Sequence, residues 1–177
     1  MQHQELQNVL ATINKIIEGT LSSEVELIPI TRTEYWQIIR NDPALHLNWQ
    51  HYMPRFQEKK DSFHFVAKPK GETELLSGVV GYFDSETNQL KIGLLEHFIK
   101  SADNPMKGSL IKVMAMAAAY FLVVVKGNEC VILEPLPDVV GLYANVGFTA
   151  SKICPDSKEV LEMTATPFEI IQKVGPL

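Results

Sequence analysis

The chain begins with apolar residues at helical spacing. Across residues 4–18 they recur every three or four positions, as on one face of a helix: Leu6, Val9, Leu10, Ile13, Ile16 and Ile17. Gly19 follows and is a typical helix stop. The pattern predicts an amphipathic N-terminal helix over residues 1–20. Its apolar face either mediates formation of a homodimer or folds back on its own domain.

The next segments predict a strand and then helices. Residues 24–30 alternate in polarity, as a strand does. The stretch TEYWQIIRN, residues 33–41, has helical character, and Asp42-Pro43 breaks it. Residues 44–60 predict a second helical piece.

The pattern then changes to three strands joined by short polar turns. Residues 62–69 alternate aromatic and polar side chains, and residues 75–84 and 89–99 follow with similar apolar content. Turns of the type KGET and SETNQ separate them. This arrangement is typical of an antiparallel meander.

The last third of the chain mixes helices and strands. It predicts a long helix over 109–126, a buried strand over 130–136, a short helix over 137–148, a strand over 158–166 and a terminal helix over 167–174. A strand, a helix and a strand in that order imply a parallel pair.

The order of elements therefore predicts the α/β (α+β) class. We expect one mixed, mostly antiparallel central sheet flanked by helices, in a single domain covering residues 1–177. The N-terminal helix of residues 1–20 precedes the core of residues 24–166, and residues 167–177 form a C-terminal helix and tail.

Composition narrows the functional classes. The net charge is −5, and lysine and arginine form no run longer than a pair, which argues against nucleic-acid binding. Two cysteines far apart in sequence, Cys130 and Cys154, favour a reduced compartment, and the N-terminus does not resemble a signal peptide. We therefore expect a cytoplasmic protein.

One uncharged stretch, residues 113–125, has 13 residues. A membrane span needs about 20 residues, so this stretch predicts a buried helix and no membrane association.

The sequence GLYANVGF, residues 141–148, resembles the end of the last core helix in the GNAT superfamily of acyl-CoA-dependent N-acetyltransferases. Leu142, Tyr143, Gly147 and Phe148 match that family's LYxxxGF pattern. The order of elements over roughly residues 24–166 is similar as well. The resemblance implies a GNAT-like fold with acetyl-CoA as co-substrate.

The resemblance also implies an activity. The expected reaction transfers an acetyl group from acetyl-CoA to a primary amine, on a small molecule or a protein, by direct attack. The alternative is a catalytically degenerate domain that acts as a binding or regulatory module.

The stretch NPMKGSLIKVM opens the long helix where the family places its pyrophosphate loop. A helix N-terminus offers unpaired N–H groups and the positive end of the dipole. We expect the backbone of Gly108, Ser109 and Leu110 to bind phosphate, with charge from Lys107 and Lys112.

The loop departs from the family pattern of Gln or Arg, two residues, Gly, one residue, then Gly or Ala. In one register Pro105 and Leu110 break the pattern, and in the other Asp103 and Met106 do. Leu110 obstructs the pyrophosphate if it points toward it. The competing interpretation is an ordinary turn capped by Ser109 or Asn104. These departures support the degenerate alternative.

Catalytic candidates come from two places. Glu96 lies late in the third meander strand. If it shares an apolar face with Ile92, Leu94 and Phe98, burial raises its pKa and suits it to a general base. His97 points to the other face and is the competing base. By analogy with the family, the backbone from Leu95 through His97 to Phe98 pairs with the pantetheine arm.

The resemblance gives Tyr143 the role of protonating the departing thiolate. A thiol has an ordinary pKa near 8.5 and a tyrosine near 10, so modest tuning allows this transfer. The competing interpretation is a tyrosine that only packs. The histidines at 46 and 51 have no suitable spacing for a metal set, so we expect no metal.

Overall fold

A computed structural model describes residues 2–21, 24–40, 45–59 and 61–175. Its helices are α1 (Gln2–Ile17), α2 (Arg32–Arg40), α3 (Trp49–Gln57), α4 (Leu110–Val125), α5 (Val140–Asn145) and α6 (Pro167–Val174). Its strands are β1 (Val25–Ile28), β2 (Ser62–Pro69), β3 (Ser77–Asp84), β4 (Gln89–His97), β5 (Glu129–Leu133), β6 (Thr149–Ile153) and β7 (Val160–Ala165). The break predicted at Asp42-Pro43 lies outside the described residues.

Within the described residues the strands form one sheet of order β1-β2-β3-β4-β5-β7-β6. β4 and β5 run parallel, and the other neighbouring pairs are antiparallel. Parallel neighbouring strands need a crossover connection, and helix α4 provides it between β4 and β5. The predicted fold class, a mixed and mostly antiparallel sheet flanked by helices, is confirmed.

Strand β6 was missed by the sequence analysis. All five of its residues are exposed, so it carries no alternation of buried and exposed positions. It is held by backbone pairing with β7 at the edge of the sheet. An edge strand with little buried surface leaves no hydrophobic pattern to recognise.

Two hydrophobic layers cover the two faces of the sheet. One layer joins α1 and α4 to the sheet, and its fully buried members include Leu6, Phe63 and Phe121. The other lies under α2 and α3 around Trp49 and Val80. Helix α1 packs on α4 and β1, so its apolar face folds back on its own domain.

The uncharged stretch of α4 is buried within the domain, as predicted. Nine of its 13 residues are buried, among them Met114, Ala117 and Leu122. The helix ends where Lys126 takes a left-handed conformation, with φ of 58°. None of the helices in the described ranges is both long and apolar enough to cross a membrane.

A bulge in β4 decides which side chains face which layer. Val80 of β3 pairs with Leu94, but Gly81 pairs with Ile92, so Gly93 is an extra residue in β4. Ile92 therefore faces the α4 layer while Leu94 faces the α3 layer. The expectation that Ile92 and Leu94 share a face is wrong, because the bulge shifts the alternation by one residue.

Gly93 is required at the bulge by close packing. A Cβ atom at this position would lie 2.1 Å from Cζ of Phe56, whose ring packs over the glycine. The helix α3 is thereby held directly against the point where β4 bends.

Candidate active site

Strands β4 and β5 separate immediately after the bulge. Their pairing runs from Gln89 with Glu129 to Ile92 with Ile132. β4 continues to His97, whereas β5 ends at Leu133. In the described residues the backbone edge of β4 beyond Gly93 thus faces a gap where a partner strand would otherwise lie.

The gap is a narrow cavity of about 80 Å³. Its walls are Gly93 and Leu95 of β4, Ile132 and Leu133 of β5, and Tyr143 of α5. Tyr143 is only 5% exposed, and its ring packs edge-on against Phe148 at 5.9 Å. Burial, and to a smaller degree the neighbouring Cys130 thiol, raise the pKa of the Tyr143 phenol well above its ordinary value. The phenol therefore stays protonated at neutral pH, but its raised pKa makes it a weaker acid toward a thiolate than an ordinary tyrosine.

A larger cavity of about 540 Å³ continues outward from this gap. The two share five lining residues: Leu47, Leu95, Ile111, Leu136 and Val139. Lysines 100, 112 and 173 line the larger cavity, and Glu96 is the single carboxylate among its described lining residues. Its volume is typical of a small-molecule site.

The start of α4 forms one end of the large cavity. The N–H groups of Ser109 and Leu110 both donate to the Met106 carbonyl, at 2.9 and 3.0 Å. Ser109 provides no side-chain cap. Among the described residues, the N–H groups of Gly108, Ile111 and Lys112 have no backbone partner.

The free N–H groups differ from those expected of a phosphate loop. Of the predicted members, Gly108 keeps a free N–H, while those of Ser109 and Leu110 are used within the turn. Ile111 and Lys112 also have free N–H groups, and these two residues and Gly108 line the cavity. Lys107 is exposed and lies outside the cavity lining.

The Leu110 side chain does not block the loop. It is 2% exposed and belongs to the hydrophobic layer under α4. Gly108 has φ of 80°, and a Cβ atom built there would meet nothing within 4 Å. A ligand can therefore approach the Gly108 backbone closely, which is the usual advantage of glycine in such a turn.

Glu96 is buried and surrounded by donors. Oε1 accepts from the His46 N–H at 2.7 Å and from Nζ of Lys100 at 2.5 Å. Oε2 accepts from the Leu47 N–H at 3.1 Å and from Nε1 of Trp49 at 2.9 Å. One carboxylate thus holds the segment that leads into α3 against the end of β4.

The expectation of a raised pKa for Glu96 is wrong. Burial raises the pKa, but the hydrogen bonds from Lys100, His46, Trp49 and Leu47 together outweigh burial and hold it below the ordinary value. A carboxylate with this pKa and four donors is poorly suited to take a proton from an amine. Three of the donors, from His46, Leu47 and Trp49, lie about fifty residues earlier in the chain and leave no local pattern, whereas Lys100 follows Glu96 by four residues.

The backbone of β4 faces the gap at Leu95 and His97. The Phe98 N–H donates to the Leu76 carbonyl at 2.9 Å, on the side of β3. Backbone groups alternate along a strand, so Leu95 and His97 direct theirs to the opposite side, where β5 has parted. Phe98 was predicted to pair with the pantetheine arm together with Leu95 and His97, but its N–H faces β3. Its ring also packs on Trp49 in the other layer.

His97 lies at the outer part of the site. It lines the large cavity but not the gap that contains Tyr143. Four residues separate it from Gly93, which corresponds to about 13 Å along an extended strand. Burial, Lys100 and Lys107 lower its pKa despite the nearby Glu96, so the imidazole is neutral at neutral pH.

Sequence reasoning missed two contributors to the site. Glu134 follows β5 directly and lines both the gap and a separate cleft of about 500 Å³. Asn104 was considered only as a helix cap, yet it is 3% exposed and its side chain binds three backbone groups. Within the described ranges, no group of three or more His, Cys, Asp or Glu residues is placed to hold a metal ion.

No protein-family model matches the chain, and comparison with curated proteins finds no match. Solved structures of a spermidine N-acetyltransferase from Vibrio cholerae are similar to it. One, in complex with CoA and spermine, has a TM-score of 0.60 at 11% identity, covering 83% of this chain and 98% of that chain. A dodecameric form in an intermediate state gives 0.60 at 12% identity, covering 81% and 94%. The chain therefore has the GNAT fold.

The Glu96 carboxylate generates a prediction about stability. In Glu96→Gln the amide NH₂ would face two N–H donors in either orientation, so we expect a loss of roughly 2–4 kcal/mol in the free energy of unfolding. Glu162→Gln is the control, because its ion pair with Lys152 spans 3.8 Å at the surface and is expected to matter by less than about 1 kcal/mol. Urea unfolding of both variants measures this.

The same variant has a defined pH dependence. Because the folded-state pKa of Glu96 is lowered, its stabilisation is complete above the ordinary value of 4.5 and is lost as the pH falls through the folded-state pKa. The difference between wild type and Glu96→Gln should be constant from pH 5 to 8 and shrink in acid. A difference that begins to shrink near neutral pH would show a raised pKa and restore Glu96 as a candidate base.

Proposed function

We propose that this chain transfers an acetyl group from acetyl-CoA to a primary amine. The observation that carries the proposal is the course of the large cavity. Its lining includes the three residues of the α4 start with free N–H groups and three lysines, and it shares five lining residues with the gap beside Tyr143. A long thioester with a phosphate-bearing end fits this course, with its anionic end at the helix terminus and its acyl end in the gap.

Local charge supports an anionic ligand. The chain as a whole carries −5, yet the cavity is lined by Lys100, Lys112 and Lys173. The Glu96 carboxylate in the same lining is already paired with Lys100. The site is therefore positive within an acidic protein, which favours a polyanion such as CoA over a cationic ligand at this position.

The chemistry would take place in the gap. The Leu95 N–H faces it and would donate to the thioester oxygen as negative charge develops there. The amine nitrogen forms the new C–N bond, the C–S bond breaks, and the thiolate takes a proton from Tyr143. The ammonium form of the amine first loses one proton to solvent. The nitrogen loses a second proton as the C–N bond forms, and this proton restores the Tyr143 phenol.

The amine would approach from the side of Glu134. This residue lines both the gap and the 500 Å³ cleft formed with the β6–β7 hairpin. The cleft has apolar walls such as Val140 and Leu161, two carboxylates, Glu134 and Glu159, and one lysine, Lys158. An aliphatic amine with more than one positive charge suits these walls. The Vibrio cholerae enzyme is solved with such a molecule, spermine.

The direct test is cofactor binding. Titration calorimetry with CoA and acetyl-CoA should show saturable binding, and both ligands should raise the melting temperature by mass action. Turnover of acetyl-CoA in the presence of spermidine then separates an enzyme from the alternative, a non-catalytic binding module. Absence of binding at millimolar CoA would overturn the proposal.

The Tyr143→Phe variant tests whether the Tyr143 phenol is the proton donor for the departing thiolate. We expect kcat to fall about 100-fold, which is a typical contribution of a positioned acid, because the thiolate loses its proton donor. CoA affinity should be nearly unchanged. Tyr120→Phe, on the exposed side of α4, is the control and should keep full activity. An unaltered rate in Tyr143→Phe would leave this residue a packing role against Phe148.

Glu134→Gln tests the acceptor side. Removing the charge at the junction of cleft and gap should raise KM for spermidine roughly 10-fold, the effect of one hydrogen bond to a charged group, without changing KM for acetyl-CoA. Glu159→Gln is the matched control, since Glu159 lines the cleft but not the gap and should have a smaller effect. Equal effects of the two variants would contradict the position given to Glu134.

A further inference from the structure

The orientation of the Asn104 side chain is fixed by three backbone partners. Nδ2 donates to the carbonyls of Leu76 and Ile99, at 3.1 and 2.8 Å. Oδ1 accepts from the Met106 N–H at 2.9 Å. Exchanging nitrogen and oxygen would set two acceptors against an acceptor and a donor against a donor, so the amide has one permitted orientation.

This orientation determines the tautomer of His97. Nδ2 of Asn104, which carries only donor hydrogens, lies 3.3 Å from Nδ1 of His97. Both hydrogens of Nδ2 are taken by the two carbonyls, so it forms no further hydrogen bond to Nδ1. A proton on Nδ1 would still lie against this NH₂ group, which favours Nδ1 as the unprotonated nitrogen. The fully buried Ser77 hydroxyl, 2.7 Å away, then donates to the same nitrogen. The neutral ring consequently carries its hydrogen on Nε2.

A neutral ring with this tautomer is a donor toward the cavity. Its only basic nitrogen, Nδ1, accepts from the Ser77 hydroxyl and is not offered to a substrate. The role of competing general base is therefore excluded for His97. Lys100, Lys112 and Gly108 line the same cavity, and the two lysines and the free Gly108 N–H favour a negative ligand.

We propose that His97 binds the phosphate-bearing part of the acyl-CoA through Nε2–H, and that Asn104 and Ser77 position it by fixing its tautomer. This inference rests on the proposed function, because it names a ligand contact within that site. It gives the site a side-chain donor in addition to the three N–H groups of α4. Asn104 supports both kinds of donor. It positions His97, and its side chain also ties the loop before α4 to the ends of β3 and β4.

The tautomer is tested without any ligand. Long-range ¹H–¹⁵N correlation spectra of the ¹⁵N-labelled chain at pH 7.5 should give the His97 pattern of an Nε2–H tautomer. Assignment uses the His97→Gln variant, in which that set of signals is absent. An Nδ1–H pattern would overturn the inference, whatever the chain binds.

The ligand contact is tested by a pair of variants. In His97→Gln the side-chain amide nitrogen can occupy the place of Nε2, whereas in His97→Asn it reaches only the place of Nδ1. We expect His97→Asn to weaken CoA binding about 10-fold, as for loss of a hydrogen bond to a charged group. His97→Gln should stay within about 3-fold of wild type.

Pantetheine, which lacks the phosphates, is the control ligand. Its affinity should be equal in wild type, His97→Gln and His97→Asn. Equal loss of CoA and pantetheine in His97→Asn would indicate a structural defect and contradict a phosphate contact, as would unchanged CoA affinity in that variant. If wild type itself binds no CoA, the proposed function fails, while the tautomer measurement still decides how Asn104 positions His97.

Discussion

The parting of β4 from β5 is the constraint on which the site depends. Parallel pairing stops at Ile92, and the extra residue Gly93 bends β4 away at that point. The bulge therefore does two things at once. It opens a gap whose wall is free strand backbone, and it reverses the alternation of side chains beyond it. As a result, the side chains of Leu95 and His97 point to the side of the sheet covered by α4, while that of Glu96 points to the segment before α3.

Glu96 then stabilises the bent strand from the opposite side. Its four donors include two backbone N–H groups, at His46 and Leu47, that no secondary structure satisfies. A buried carboxylate is costly unless it is fully hydrogen-bonded, and here it is. The same contacts that stabilise its charged form lower its pKa and remove it from acid–base catalysis. The hydrogen bonds that give Glu96 its structural role therefore also make it a poor general base.

Much of the fold was predictable because its elements have strong periodicity. The amphipathic α1, the meander and the apolar α4 each show a repeat that only one kind of element satisfies. The failures share a different cause. β6 has no buried face, the Gly93 bulge is a single residue, and three of the four donors to Glu96 lie about fifty residues earlier in the chain. Tertiary contacts decide all three, and no local pattern records them.

The loop before α4 keeps free backbone donors although its sequence departs from the GNAT pattern. Backbone N–H groups bind phosphate whatever side chains the residues carry. What the loop needs is a left-handed turn, supplied by Gly108, and side chains that stay out of the way, which the burial of Leu110 provides. The amide of Asn104 holds the turn against two strand ends. These requirements are geometric, so the residues can change while the helix terminus keeps its free donors. Under the proposed function, a sequence pattern based on glycines at fixed positions would miss this solution.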